Sequence, residues 1–321
     1  MKKLLSCLFA VALTAAVPGA MAQAFPNKPV RIIVGFGPGT LDAMTRLVAL
    51  KLADRLGQPV IVENKPGANG SIAAEFVAKS APDGYTLLST GSGAHVLNAV
   101  VRKNLRYDTE KAFTPLVMMM RIPMVMSVSP ALPAKTVKEF VDHVKTNKLK
   151  ISYGSTGVAS SLHLAGLMLQ DTADLDAVHT PYSSESQALY EVIAGRSTYI
   201  FAGMGSAAPR IRDGSVKGLA ITGPARSKVL PDIPTMVESG FPYVNLVNWY
   251  GFVTPAGVPQ AVAARLEAEM LQVLNDPEII ERARALGSES AALGRDEFGK
   301  MVTSDFKRLG DLVTKANLKV E

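Results

Sequence analysis

The sequence predicts an α/β protein of two lobes, each a mainly parallel sheet flanked by helices. Three observations predict it. Runs rich in β-branched residues alternate with amphipathic helical runs, the pattern of βαβ units. At 321 residues the chain exceeds one comfortable core. Two extended stretches, Leu116–Ser129 and Asn248–Pro259, interrupt the alternation and read as strands that leave one sheet and join another.

The elements follow in order. Val30 to Gly35 reads as a strand, Leu41 to Leu56 as a helix and Pro59 to Glu63 as the next strand; a turn from Asn64 to Gly70 leads into a helix from Ser71 to Lys79. Pro82-Asp83-Gly84 turns the chain into a strand from Tyr85 to Ser89. The run "LVMMMRIPMVMSVS" is too long for one ordinary strand, and Pro123 within it cannot donate to a ladder. Its methionines lack His or Cys partners and read as adaptable core packing. The second lobe repeats the alternation: helices at 136–147, 160–170 and 184–194, strands at 151–153, 177–181, 198–201 and 217–222. "NWYGFVTPAGVP" reads as the return crossing, and the tail from Pro259 as helical. The expected division is therefore 25–123 with 248–321 as lobe 1, and 124–247 as lobe 2.

Residues 1–24 read as a secretory signal peptide. Lys2 and Lys3 precede an apolar core from Leu4 to Val17, Pro18-Gly19 breaks it, and small-x-small sites follow at Ala20-Met21-Ala22 and Ala22-Gln23-Ala24. Cys7, the one cysteine, precedes most of that core and is lost with it, which excludes disulfides, thiol nucleophiles and cysteine metal sites from the mature chain. The formal charge of +6 is scattered, without a basic run interleaved with aromatics, so no nucleic-acid partner is expected.

Three glycine turns stand at strand C-terminal ends: Gly37-Pro38-Gly39-Thr40, Thr90-Gly91-Ser92-Gly93-Ala94-His95 and Gly154-Ser155-Thr156-Gly157. A helix start there has backbone N–H groups without partners and about half a positive charge. Glycine lets an anion approach those groups, and Ser155, Thr156, Ser160 and Ser161 add hydroxyls. Ligands of open α/β sheets bind at these strand ends. Gly35, Gly37 and Gly39 lie two apart, which is not a dinucleotide fingerprint, and no P-loop occurs, so no nucleotide cofactor is expected.

An enzyme is the rival reading, a secreted α/β hydrolase-like protein acting on a small acidic or ester substrate. No G-x-S-x-G elbow appears, and Ser161 and His163 diverge on one helix. The four histidines, His95, His143, His163 and His179, lack metal-ligand spacing. Asp42 reads as a first-turn acid serving the helix dipole, with a contact to a ligand amine or hydroxyl as the alternative. Trp249 and Tyr250 read as core packing, with a cleft wall as the alternative.

"FPNKPVRIIVGFGPG", "RLGQPVIVENKPGANGSIAAEFVAKSAPDGYTLL", "YGSTGVASSLHLAGLML", "VHTPY", "ALYEVIAGR", "PTMVESG" and "NWYGFVTPAGVP" resemble, in this order, the Bug family, extracytoplasmic receptors of tripartite tricarboxylate transporter systems. The resemblance spans nearly the whole mature chain. It implies a type II periplasmic binding-protein clamshell that captures a small organic acid between its lobes, works as a monomer, and serves membrane permease subunits or a sensor kinase without a cofactor or metal. The family's binding loops map to Gly37, Pro38, Gly39, Thr40 and Asp42; to Thr90, Gly91 and Ser92; to Ser155, Thr156, Gly157, Ser160, Ser161 and His163; and to Ala202.

Three departures stand out. The family's F-x-P-G-G-x-x-D loop is one residue shorter here, Phe36-Gly37-Pro38-Gly39-Thr40-Leu41-Asp42. Its P-Y-K-G is Pro181-Tyr182-Ser183-Ser184, without the lysine. Ala202-Gly203 replaces a position that is often polar or acidic. A less charged or bulkier ligand is the expectation.

Overall fold

Val30–Val34 (β1) is buried on both sides, as a central strand of a sheet covered on both faces must be. Around it the computed structural model, which describes residues 25–315 except 103, 159 and 183, builds the first of two sheets. In chain order β1 is followed by α1 (Thr40–Leu56), β2 (Val60–Asn64), α2 (Ser71–Ala78), β3 (Thr86–Gly91), α3 (Asn98–Val101), α4 (Thr109–Ala112) and β4 (Phe113–Ile122). Next come β5 (Met124–Val128), α5 (Val137–Thr146), β6 (Ile151–Ser155), α6 (Ser161–Ala173), β7 (Ala177–Pro181), α7 (Glu185–Ile193), β8 (Tyr199–Gly203), α8 (Met204–Arg212) and β9 (Lys217–Ile221). The chain returns through β10 (Asn248–Pro255) and ends in α9 (Gln260–Leu274), α10 (Pro277–Ala285), β11 (Glu289–Leu293) and α11 (Arg295–Lys315). The expected signal peptide and Ser183 lie outside the described residues.

The sheets are ordered β11-β4-β10-β3-β1-β2 and β7-β6-β8-β5-β9. In the first, β1 pairs in parallel with β2 and β3, while β10 runs antiparallel to β3 and β4, and β11 antiparallel to β4. In the second, β6 is parallel to β7 and β8, and β5 is antiparallel to β8 and β9. The reversed strands include both crossing strands, β5 and β10. Each enters its sheet from the other one, and each runs antiparallel to its neighbours there. Pro123 stands between β4 and β5, at the crossing itself.

Period-two alternation sorts the core. Val30, Ile32 and Val34 point into one apolar layer with Met44, Val48 and Leu52 of α1 and Leu266 and Met270 of α9. Ile33 and Leu88 point into the other, which continues into the second sheet through Met124, Met126, Tyr199 and Phe201. Met118, Met119, Met120, Met124 and Met126 are all buried, so the methionine run is core. The tail is not wholly helical: β11 interrupts it by pairing with the open edge of β4. The helix α8 forms despite Gly205 and an internal Pro209, burying Met204, Ala207 and Ala208. Among the described residues no helix is long and apolar enough to cross a membrane.

Candidate functional site

A cleft of about 620 Å³ lies where the glycine turns converge. From the first sheet it is lined by Phe36–Leu41, Asn69, Gly91–Ala94 and Leu97, and by Asn248 and Tyr250 of the returning strand. From the second it is lined by Thr156, Ser160, Ser161, Leu162 and Glu185. Glu185 is the one charged side chain on its wall among the described residues.

The Gly-Pro-Gly loop is held from behind. A Cβ on Gly35 would stand 2.7 Å from Gly70 Cα, so only glycine lets the loop after β1 lie against the turn before α2. The Asn64 amide donates to Phe36 O at 2.8 Å and to Asp42 Oδ1 at 2.7 Å. Arg46 Nε donates to Asp42 Oδ2 at 3.0 Å. Burial would raise the Asp42 pKa, but the hydrogen bonds from Arg46 and Asn64 outweigh it and hold the carboxyl below its usual range. Asp42 thus braces the loop and does not line the cleft. In front, α1 starts at Gly39 in extended backbone with no side-chain cap, which leaves the first amides of the helix to water or a ligand.

At the end of β3, Ser92 Oγ donates to Asn248 Oδ1 at 3.2 Å and accepts from Trp249 N–H at 3.4 Å. This ties the second glycine turn to the crossing strand. A Cβ on Gly91 would meet the Tyr250 ring at 2.4 Å, so glycine is what admits Tyr250 to the wall. Thr90 is buried within the sheet beside Gly251. Trp249 is core: its Nε1 donates to Asp305 Oδ2 at 3.0 Å, and its ring meets Phe298 edge-on at 5.0 Å. Tyr250 is a cleft wall. Burial raises its pKa, helped by the charge of Glu185 from the other lobe.

In the second lobe the structure divides the serines. Ser160 caps α6 by accepting His163 N–H at 3.3 Å, while Ser160, Ser161 and Thr156 line the cleft. Ser155 is fully buried; its Oγ meets His179 Nε2 at 2.6 Å and accepts Gly157 N–H at 3.0 Å. His163 stacks on His179 at 3.8 Å. Burial, then the neighbouring His179, lowers its pKa to about 4. Ala202 is buried in β8. Asp42, Thr90, Ser155, His163 and Ala202 are therefore buried behind the lining and the half-exposed Gly157 lies outside it, whereas Gly37, Pro38, Gly39, Thr40, Gly91, Ser92, Thr156, Ser160 and Ser161 form it.

Sequence reasoning left Glu185, Asn248, Asn69 and Phe36 out of the site. Phe36 adjoins the first turn, and Glu185 follows directly on the Pro181–Ser184 departure, so a local signal existed for both. Glu185 Oε1 accepts Gly203 N–H at 3.0 Å, and a Cβ on Gly203 would come within 3.3 Å of that carboxylate.

The Ser155–His179 pair has the atoms of a nucleophile and base, but a hydroxyl with no exposed surface is out of reach of a substrate. Among the described residues no carboxylate bonds His179, and no group of acidic and histidine side chains could hold a metal.

Comparison with known proteins agrees with a receptor. A family model described as tripartite tricarboxylate transporter family receptor matches residues 44–318. A UPF0065 protein of Bordetella pertussis is 33% identical over 319 residues, 98% of either chain. A Rhodopseudomonas palustris protein solved with adipate is 26% identical with a TM-score of 0.74, over 92% of this chain and 99% of that one. MatC from the same organism, solved with malate, is 29% identical with a TM-score of 0.70, over 90% of this chain and all of the other. Receptors of this kind bind a solute and release it unchanged, so the hydrolase alternative falls. The chain belongs to the tripartite tricarboxylate transporter receptor family, and within it is a two-lobe solute-binding protein and not an enzyme.

Proposed function

We propose that this protein is a periplasmic receptor that captures a small organic acid in the cleft between its lobes and passes it to the permease of a tripartite carboxylate transporter. The observation that carries the reading is the cleft's make-up. The uncapped start of α1 faces hydroxyls of Thr156, Ser160 and Ser161, and no lysine or arginine lines the wall among the described residues. Backbone amides at a helix start hold an anion without a cationic side chain. The adipate and malate held by similar proteins support the acid class. The leader at 1–24 supports export. The strand division supports lobe boundaries at 123/124 and 247/248. The protein works as a monomer, and ligand shifts it from an open to a closed population.

Thermal unfolding of refolded, ligand-stripped mature protein against mono-, di- and tricarboxylates and their amides tests this. A ligand bound only to the native state stabilises it by about 2.7 kcal/mol at a hundredfold excess over its dissociation constant. Shifts confined to acids and absent for the amides are expected; no shift for any acid overturns the carboxylate reading.

A further inference from the structure

Glu185 is out of place in a site for a plain dicarboxylate. It lies in the first turn of α7, where Ser184 already caps the helix by accepting Gln187 N–H at 3.2 Å. A first-turn acid serves the helix dipole from any side of the helix. This one is turned into the cleft, its Oε1 fixed by Gly203 N–H, with Tyr250 facing it from the other lobe. Among the described residues no lysine, arginine or histidine pairs with it, and no cation lines the wall to offset it. The cleft therefore has two electrostatic ends: partly positive amides at the start of α1 and a full negative charge at Glu185.

We propose that Glu185 is a specificity-determining residue that selects acids also carrying a protonated nitrogen, so that the preferred ligand is zwitterionic. The inference rests on the carboxylate reading above. The ligand's carboxylate lies at the α1 end, and its ammonium donates to Glu185. A charge-assisted hydrogen bond to a carboxylate is stronger than a neutral one, so the pairing adds affinity as well as direction. The second carboxylate of an unsubstituted diacid would meet Glu185 as a like charge in a closing, desolvated site, which is discrimination by repulsion. The Asn248 and Tyr250 side chains leave room for further donors without changing the sign of the site.

The test is binding by calorimetry to matched series: ω-amino acids and α-amino acids, diacids of the same chain lengths, simple monoacids, and diamines. Wild-type protein is compared with Glu185→Gln and, as a milder control, Glu185→Asp. Wild type is expected to bind one amino acid at least tenfold more tightly than the matching diacid. Glu185→Gln should lose at least tenfold for the amino acid and gain for the diacid, with Glu185→Asp between the two. Melting curves of the variants without ligand separate a folding defect from a change of preference. Tighter wild-type binding of diacids or simple monoacids, or an unchanged preference in folded Glu185→Gln, overturns the inference and leaves the carboxylate reading intact. Binding of diamines alone, lost in Glu185→Gln, overturns the carboxylate reading and the zwitterion with it, while retaining Glu185 as the cation's partner.

Discussion

The two lobes meet the cleft with differently finished helix starts. In the first lobe α1 begins at Gly39 with no side-chain cap, and its first-turn acid, Asp42, is pulled back by Arg46 and Asn64. In the second, α6 and α7 begin at Ser160 and Ser184, whose side chains accept an amide each, and the first-turn acid of α7 lines the cleft. The first lobe leaves backbone donors for a ligand to satisfy. The second satisfies its own and offers side chains. In the site proposed above the labour is divided: one lobe would supply general attraction for an acid, and the other would discriminate among acids.

The lobes are alike in burying one uncharged histidine each, and the largest expected effect tests whether they are. His95 sits among Phe113, Trp249 and Phe306, and burial lowers its pKa to about 4, as burial and His179 do for His163. The unfolded chain titrates near the ordinary value, about 6.5, and so binds more protons than the folded one between the two values. Stability is complete above pH 6.5 and falls as pH drops toward 4, by about 3 kcal/mol for His95. Urea unfolding at a series of pH values should show this fall, with part of it removed in His95→Phe and the rest, carried by His163 and by His179, whose pKa burial also lowers, retained. An undiminished fall in that variant would break the likeness between the lobes.

A smaller effect is expected where the lobes touch. Gly287, between α10 and β11, has φ +70°, and a Cβ there would stand 2.2 Å from Gly205 Cα in α8. Gly287→Ala should cost about 2 kcal/mol in strain and overpacking and push the lobes apart. Melting and small-angle scattering would register a lower midpoint and a larger radius of gyration. The control is Gly214→Ala: φ there is +78° with open space around the position, so only the strain of about 1 kcal/mol should appear, without expansion.

The finest test exchanges the two kinds of helix start. Gly39 has extended backbone and its Cβ position is clear to 4.0 Å, so Gly39→Ser fits. The new hydroxyl should occupy an amide meant for ligand, weakening acid binding about tenfold, or 1.4 kcal/mol, while adding a few tenths of a kcal/mol to the unliganded protein. Ser160→Ala should cost about 1 kcal/mol of stability by uncapping α6. Calorimetry and unfolding of both variants decide whether α1 is the anion end. If Gly39→Ser binds acids as wild type does, the anion end lies elsewhere.

Much of the fold was legible locally. The Val30–Gly35 expectation is the strand Val30–Val34, the helix expected to end at Leu56 does so before Gly57, and Pro123 stands between β4 and β5. The misses have physical causes. Gly205, Ser206 and Pro209 are poor helix residues, and α8 forms because its apolar face packs against β5 and β8. "ESAAL" has weak strand propensity and becomes β11 because the edge of β4 offers unpaired ladder groups.

The sequence by itself determined which segments turn at glycines, because that choice is made by backbone sterics within a few residues. It also contained the family. Only the tertiary structure decided which polar side chains face the cleft. Asp42 and Glu185 are both first-turn acids, yet one is tied to Asn64, 22 residues away, and the other looks into the cleft. Ser92 meets Asn248 across 156 residues of chain. The sign of the charge at the cleft's far end depends on which of two such acids is neutralised from behind, and that depends on sheet register and lobe packing, which no local pattern encodes.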